Sequence, residues 1–485
     1  MKHILNSIIS RIMRINEVER QSILSLAGQI GFTFIAFLST MYFSHVLGAE
    51  ILGAYFLFLS YIGIVSIVSD GGFGAAAVKR ISEGKEPNKY FTAFLLIKII
   101  FIVPLLLLLS HLRWIFVDLD AAGLFDWLLI LIGISAIQSI ISAGIVGQGK
   151  VGVSATTGFV NNVSRVFVQV IAVFLGFEII GLVGGLMFGI VISTFLNLRF
   201  FNLKLSRFGL RHLKSLSTFS FWVFLTSGGT MIYLHTDRIL LGYFLGSAEV
   251  GIYQITIQLA SIGMFTTTSL ISVLWPKVSR WNANQEFGLI EKSFSKAITY
   301  SLILAVPMLI GGVLLGDKIL YFFYGAEFAR GNVVFIIILI VQMVNIFNTF
   351  FTTYLSAMDR QKDAFKVTAA AAISNVILNL LLIPIIGMEG AAIATLASMS
   401  VSAVFAYQII KDVINIKMER NSLINILKAS CVMGMIVGIY RLLFPLDGIL
   451  LLLIPISIGG VVYCGLILKF DKNVRDAVKG ILSNN

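Results

Sequence analysis

Five ionisable side chains, Asp70, Lys98, Arg165, Asp237 and Arg238, sit within or at the ends of runs that are otherwise strongly apolar. A charge near the centre of a membrane-spanning helix costs about 2.5–3.5 kcal/mol on insertion scales, so each is by default a functional candidate. Three cations against two carboxylates suit an anionic cargo, because guanidinium groups can hold phosphate oxygens in bidentate fashion. A cavity built for organic cations would need the reverse balance. Arg165, Lys98 and Arg238 are therefore candidate substrate-binding residues, joined by Lys79 and Lys277 at the basic ends of two spans. Asp237 and Asp70 are the candidate ion-coupling residues. Each has a structural alternative. Asp237 and Arg238 point about 100° apart on a helix and would each pair with another helix. Asp70 would order the Gly71-Gly72 turn, and Lys79 and Lys277 would simply set topology.

The elements that position these residues are apolar segments at about 22–44, 51–72, 91–112, 127–147, 152–175, 179–200, 218–243, 250–275, 297–316, 332–356, 367–384, 390–410, 424–443 and 448–468. Each is close to the roughly 20 residues that cross a hydrocarbon core at 1.5 Å per residue. The fold class expected is an all-α polytopic membrane protein with about 14 transmembrane helices. Of 36 Lys and Arg, 29 fall in alternate connections, starting with the N-terminal tail. The intervening connections hold only Arg113, Lys318, Arg330 and Arg441, and Lys98, Arg165 and Arg238 lie inside spans. Under the positive-inside rule this places both termini in the cytoplasm, since one missed or invented span would scramble every later loop.

With 58% hydrophobic and 12% charged residues, the chain lies far outside the range of soluble domains. The net charge of +12 resides mostly in short loops beside the spans, where topology and anionic headgroups account for it, so no nucleic acid is expected. Cys431 and Cys464 fall in the last two spans without CxxC spacing and read as small packing residues. The first 21 residues lack a cleavable signal pattern. Ile4, Leu5, Ile8, Ile9, Ile12, Met13 and Ile15 recur at helical spacing against Arg11 and Arg14, as in a helix lying on the cytoplasmic leaflet. The longest outer connection, His111 to Asp126, leaves no room for a catalytic domain. No GxxxxGK[ST], HExxH or GxSxG is present, so neither ATP-driven pumping within the chain nor hydrolysis has a site. No enzyme, cofactor or bound metal is expected. Secondary transport, or a passive or structural membrane role, is left.

The chain also repeats itself. Leu47-Gly48, Gly53-Ala54-Tyr55 and Lys79 recur 198 positions later as Leu245-Gly246, Gly251-Ile252-Tyr253 and Lys277, and Pro104 and Pro307 lie at a similar offset. The shared spacing points to duplication of a six-helix unit. The domains expected are an interfacial segment 1–21, an N-lobe 22–200, a basic linker 201–217, a C-lobe 218–410, two further spans within 424–468 and a cytoplasmic tail 469–485. Both copies run in the same direction, the parallel-repeat arrangement of many alternating-access transporters, with a substrate path between lobes. Pro104 and Pro307 would kink their helices, either to allow bending or as static packing features. Buried amides such as Gln138, Asn161, Asn348 and Asn379 could meet sugar hydroxyls or pack helices together.

Asp237-Arg238-Ile239-Leu240-Leu241-Gly242-Tyr243-Phe244-Leu245-Gly246, followed by Val250-Gly251-Ile252-Tyr253, closely resembles the polysaccharide-transporter family. These are the lipid-linked oligosaccharide (O-antigen type) flippases of the multidrug/oligosaccharidyl-lipid/polysaccharide exporter superfamily. Leu47 to Gly74, Pro276-Lys277-Val278-Ser279-Arg280, and Leu381-Leu382-Ile383-Pro384 leading to Gly390-Ala391-Ala392 and Ala394-Thr395 look similar too. The resemblance implies two six-helix lobes in a V shape plus two C-terminal helices, in a cell inner membrane. It further implies translocation of an undecaprenyl-diphosphate-linked oligosaccharide to the outer leaflet, by alternating access coupled to H+ or Na+. The implied partners are that substrate, membrane lipids and other polysaccharide-assembly membrane proteins. A drug or metabolite antiporter of the same fold and a scaffold for a synthesis complex stand as alternatives. A glycan polymerase or ligase would need a large outer loop that the chain lacks.

Overall fold

The computed structural model describes residues 17–416, 418–472 and 474–476, so the amphipathic segment expected near the N-terminus and the end of the tail lie outside it. The helices, in chain order, are α1 Glu17–Asp70, α2 Phe73–Ser82, α3 Pro87–His111, α4 Val117–Ala121, α5 Phe125–Gly147, α6 Val151–Phe174 and α7 Glu178–Leu198. They continue as α8 Leu210–Leu245, α9 Ser247–Ala260, α10 Phe265–Ala283, α11 Phe287–Tyr324, α12 Asn332–Ala357, α13 Gln361–Ile410, α14 Arg420–Leu443 and α15 Ile449–Phe470. No strand occurs among the described residues.

Eleven stretches of the described chain are helical, long and apolar enough to cross a membrane. The difference from fourteen has a local cause. α1 carries two arms joined at Gly48 (φ 74°, ψ −179°), and α13 carries two arms joined at Ile386 and Gly387. α8, with 36 residues, is long enough for one more crossing but more polar than the eleven. In contrast, α3 and α11 run as single helices through Pro104 and Pro307. The sharp breaks fall at glycine because a positive φ strains any residue with a Cβ.

The chain divides into two compact units: Met1–Leu47 with Phe58–Gly228, and Gly48–Leu57 with Gly229–Asn485. In the first, Phe73, Ala76, Ala77 and Ile81 of α2 pack with Phe91, Phe94 and Ile97 of α3, with Ile140 and Ala143 of α5, and with Leu216. Between α7 and α8 a non-helical segment lies over this cluster, with Phe201, Leu203 and Phe208 packed on it. α6 and α7 approach closely along Gly181, Gly185 and Gly189, where a Cβ would come within 2.8, 2.5 and 2.6 Å of α6. This small-residue seam is how membrane helices gain packing without a hydrophobic driving force.

The second unit is built on a larger aromatic core, in which Phe294 stacks on Phe351 and meets Phe350 and Tyr354 edge-on. Met433 and Val437 of α14 and Leu452, Tyr463 and Ile467 of α15 belong to the same core. Cys431 and Cys464 are free and exposed, so they are not the packing residues expected from their positions. Gly48 and Gly246, 198 positions apart, share a positive φ with ψ near 180°.

Candidate functional site

Within the second unit, α8 carries Asp237 into an environment from which water is excluded. The residue is 7% exposed, and Tyr253, Asn375, Asn379, Thr395 and Ser398 around it are buried. Tyr253 Oη (3.0 Å) and Thr395 Oγ1 (2.7 Å) donate to one carboxylate oxygen, and Asn379 Nδ2 (2.6 Å) donates to the other. α9 supplies the tyrosine, the first arm of α13 the asparagines and its second arm the threonine. The break at Gly387 turns α13 back on itself and brings residues 20 positions apart, Asn375 and Thr395, to one point. Buried polar atoms are almost always paired, yet Asn375 Oδ1 and Asn379 Oδ1 are buried with no donor. One carboxylate among neutral oxygens, two of them unmet acceptors, is a donor set suited to a small hard monovalent cation or a proton. No group of three or more His, Cys, Asp or Glu able to hold a metal occurs among the described residues.

The other predicted residues are distributed differently. Lys98 on α3 is 2% exposed and its ammonium meets Asp70 Oδ1 at 2.8 Å and the Ser69 carbonyl at 3.1 Å, whereas Asp70 is 33% exposed. Ser139 also reaches Asp70, at 3.4 Å. The second oxygen of Asp70 accepts from Gly74 N at 3.2 Å and so caps α2 after Gly71 and Gly72, both at positive φ. Asp70 thus carries out the ordering role and an ion pair together, and the charge of Lys98 is already matched. Arg165 is half-buried on α6, where its carbonyl oxygen faces Gly185 and its Cβ faces Gly189 along the seam. Arg238 is half-buried, with Nη1 3.4 Å from His235 Nδ1 one turn earlier on α8. Asp237 therefore pairs with other helices as its direction implies, while the contact of Arg238 is to its own helix. Lys79 is exposed and sits 4.3 Å over the Phe219 ring, and Lys277 is exposed on α10.

The structure joins Asp70 to Lys98 and surrounds Asp237. Tyr253, Asn375 and Thr395 escaped the sequence reading as site residues. Tyr253 and Thr395 nevertheless stand in the motif stretches, and Asn375 lies one helical turn before Asn379 on the same face. The other amides mostly link helices: Gln138 and Asn161 donate to Ser193, and Asn348 accepts from Ser402.

At the basic end of the first unit, Glu86 gathers Lys89 (2.7 Å), Arg211 (2.7 and 2.8 Å) and His212 (3.0 Å). His212 Nδ1 lies 3.1 Å from both the nitrogen and the carbonyl oxygen of Gly209, and Nε2 is the ring nitrogen that faces the Glu86 carboxylate. Hydrogen bonds from Lys89 and His212, with the nearby charge of Arg211, hold the Glu86 carboxyl down to about 2. The segment before α8 is pinned further by Lys204 N to Asn88 and Ser206 N to Thr92, both 3.0 Å.

Comparison with known proteins identifies the family and the fold. Residues 44–333 match the model of a family described as polysaccharide biosynthesis protein. The chain is 26% identical over 466 residues to a probable low-salt glycan biosynthesis flippase of Haloferax volcanii, spanning 96% of this chain and 99% of the relative. It is 24% identical over 482 residues to a probable flippase of the same organism, spanning 97% and 99%. Among solved structures, an inward closed lipid II flippase superposes with a TM-score of 0.78 at 18% identity, over 94% of this chain and all of that one. An inward-facing multidrug resistance MATE transporter gives 0.65 at 13% identity, over 79% and 94%. The family match spans more than half of the sequence, and the chain belongs to the polysaccharide biosynthesis protein family.

Proposed function

We propose that this protein is a flippase for a lipid-linked oligosaccharide, moving a repeat unit carried on undecaprenyl diphosphate from the cytoplasmic to the outer leaflet by alternating access. No bond is made or broken, so the chain acts as a transporter and not as an enzyme. The substrate class is supported by the family and by the two Haloferax relatives named as flippases, and the carrier by the sequence resemblance. The topology adopted is the one implied by the loop charges, with both termini in the cytoplasm of a plasma membrane. The duplicated lobes at 22–200 and 218–410 remain the proposed working parts.

The observation that carries a coupled mechanism is the Asp237 cluster. A buried carboxylate wrapped by three donors and two unmet amide oxygens can exchange a proton or a Na+ ion for internal hydrogen bonds. Occupancy would thereby be linked to how α8, α9 and the two arms of α13 sit together, which is the requirement for a driving ion. Arg165 and Arg238, half-buried, are the proposed contacts to the diphosphate, with Lys79 and Lys277 meeting it earlier. Lys98 is proposed to act through Asp70, as the positioning partner of a second coupling carboxylate.

The test is leaflet-resolved translocation of a fluorescent undecaprenyl-diphosphate oligosaccharide in proteoliposomes under a Na+ or pH gradient. Wild type should respond to one gradient, Asp237→Asn should flip without responding, and Arg165→Ala should flip slowly under either condition. Absence of flipping by folded wild-type protein would overturn the proposal in favour of a small-molecule antiporter or a scaffold.

A further inference from the structure

Next to the Glu86 cluster the first unit contains a cavity of about 500 Å³ lined by Arg80, Arg211, Lys214, Ser215, Thr218 and Phe219. Its size is in the usual range for ligand sites, about 300–1,000 Å³. The positive-inside rule accounts for how many cations a loop holds. It does not account for cations from two segments some 130 residues apart converging on one cavity with two hydroxyls and a phenyl ring. The convergence is built. α2 ends at Ser82 and delivers Arg80, α8 begins at Leu210 and delivers Arg211 and Lys214, and the pinned segment before α8 fixes the register between them.

The charge state of the lining is also specific. Arg80 pairs with Glu83 at 2.9 Å and Arg211 with Glu86, so each guanidinium is oriented by a carboxylate while retaining further N–H donors. Arg80 Nε is buried with no acceptor. Lys214 has no ion-pair partner among the described residues, and Lys79 lies over the Phe219 ring that lines the cavity. Four cations against two carboxylates leave an excess of positive charge at the cavity.

We infer that this cavity binds a phosphate or diphosphate headgroup carried on a membrane lipid. Because Glu83 and Glu86 already compete for two of the guanidinium groups, a diphosphate is held more tightly than a singly charged phosphodiester, and a zwitterionic headgroup least. The preference for diphosphate rests on the flippase reading above and names where that substrate is first held. Binding itself is measured without translocation, so either idea can fail alone.

The experiment is native mass spectrometry of the full-length chain in detergent, titrated with farnesyl diphosphate, phosphatidylglycerol or phosphatidylcholine, with inorganic pyrophosphate as competitor. Wild type should bind farnesyl diphosphate and lose it to pyrophosphate. The Arg80→Gln/Lys214→Gln double variant should bind about tenfold or more weakly, the worth of a lost charge-assisted hydrogen bond. Should the double variant fail to fold, Lys214→Gln alone, at an exposed position, should still weaken binding several-fold. Phosphatidylglycerol binding as tightly as farnesyl diphosphate would identify bulk anionic lipid as the occupant and keep the phosphate site. Equal binding by variant and wild type, no displacement by pyrophosphate, or phosphatidylcholine matching phosphatidylglycerol would each overturn it. Normal farnesyl diphosphate binding by an Asp237→Asn protein that has lost gradient-driven flipping would show the two sites to be separable.

Discussion

In an Asp237→Asn protein the side chain keeps its shape and loses its charge. Asn379 still donates to the remaining oxygen, and the hydroxyls of Tyr253 and Thr395 can turn to accept from the new amide. What is lost is the difference between a charged and a neutral acceptor, about 1 kcal/mol for each of three bonds. Relief from holding a carboxylate out of water, worth several kcal/mol, offsets that loss. The net stability should therefore change by no more than about 2 kcal/mol in either direction. Asp237→Leu keeps the branched shape with a larger side chain and strands three buried donors at about 1–3 kcal/mol each, so it should lose about 3 kcal/mol or more. Cation binding adds a second signal. A bound ion at one hundred times its dissociation constant stabilises the native state by about 2.7 kcal/mol, and Asp237→Asn should forfeit that increment. The assay is thermal denaturation of the purified chain in detergent, with NaCl titrated against N-methylglucamine chloride at constant ionic strength. A response to pH and not to sodium would make the proton the coupling ion. The reasoning fails if Asp237→Leu melts with Asp237→Asn, or if the asparagine variant keeps the full ion-dependent rise.

Three further outcomes are expected. A Cβ on Gly251 would lie 2.3 Å from the Ala49 carbonyl oxygen, so Gly251→Ala should lower the melting midpoint by the equivalent of about 1–3 kcal/mol, whereas Gly184→Ala, with nothing within 4 Å, should be neutral or slightly stabilising. Asp70→Asn leaves the buried Lys98 ammonium unmatched and should destabilise by about 3 kcal/mol or more, while Lys98→Met leaves a carboxylate that is one-third exposed and should be milder; comparable losses would refute this asymmetry. The Glu86 carboxyl is depressed from an ordinary 4.5 to about 2, so its contribution is present above the ordinary value and is lost as pH falls toward 2; the melting difference between wild type and Glu86→Gln should hold steady at higher pH and shrink below about 4.5.

The helical, many-span fold was legible because it is written in periodic, local terms: apolar runs of fixed length and loop charge of alternating density. Asp237 was legible for the same reason, as a charge where none is tolerated without purpose. Its partners were not. Thr395 lies 158 positions away, and a buried hydroxyl leaves no periodic trace. The pairing of Lys98 with Asp70 depends on how a two-glycine turn aims α2 and α3, which spacing alone does not determine. The beginning of α8 at Leu210, inside a stretch that reads as linker, followed from packing of Leu213 and Leu216 on the α2–α3 cluster. The cavity beside Glu86 was invisible for a simpler reason, since its basic residues stand in two stretches of sequence that each look like ordinary topological determinants.

The close approach of α1 and α9 is reciprocal. A Cβ on Gly53 would strike the backbone oxygen of Ser247, and one on Gly251 would strike that of Ala49. The offset of 198 that relates Gly53 to Gly251 also relates Ala49 to Ser247, so each copy offers its partner the same two positions that it receives. Reciprocity of this kind is what a two-fold axis imposes on the contact between identical subunits. At this crossing the two stretches related by the 198-residue offset therefore meet in a self-complementary way. Neither half can drift there alone: an enlargement at either glycine displaces the same pair of backbones, and the two substitutions combined should cost less than the sum of each.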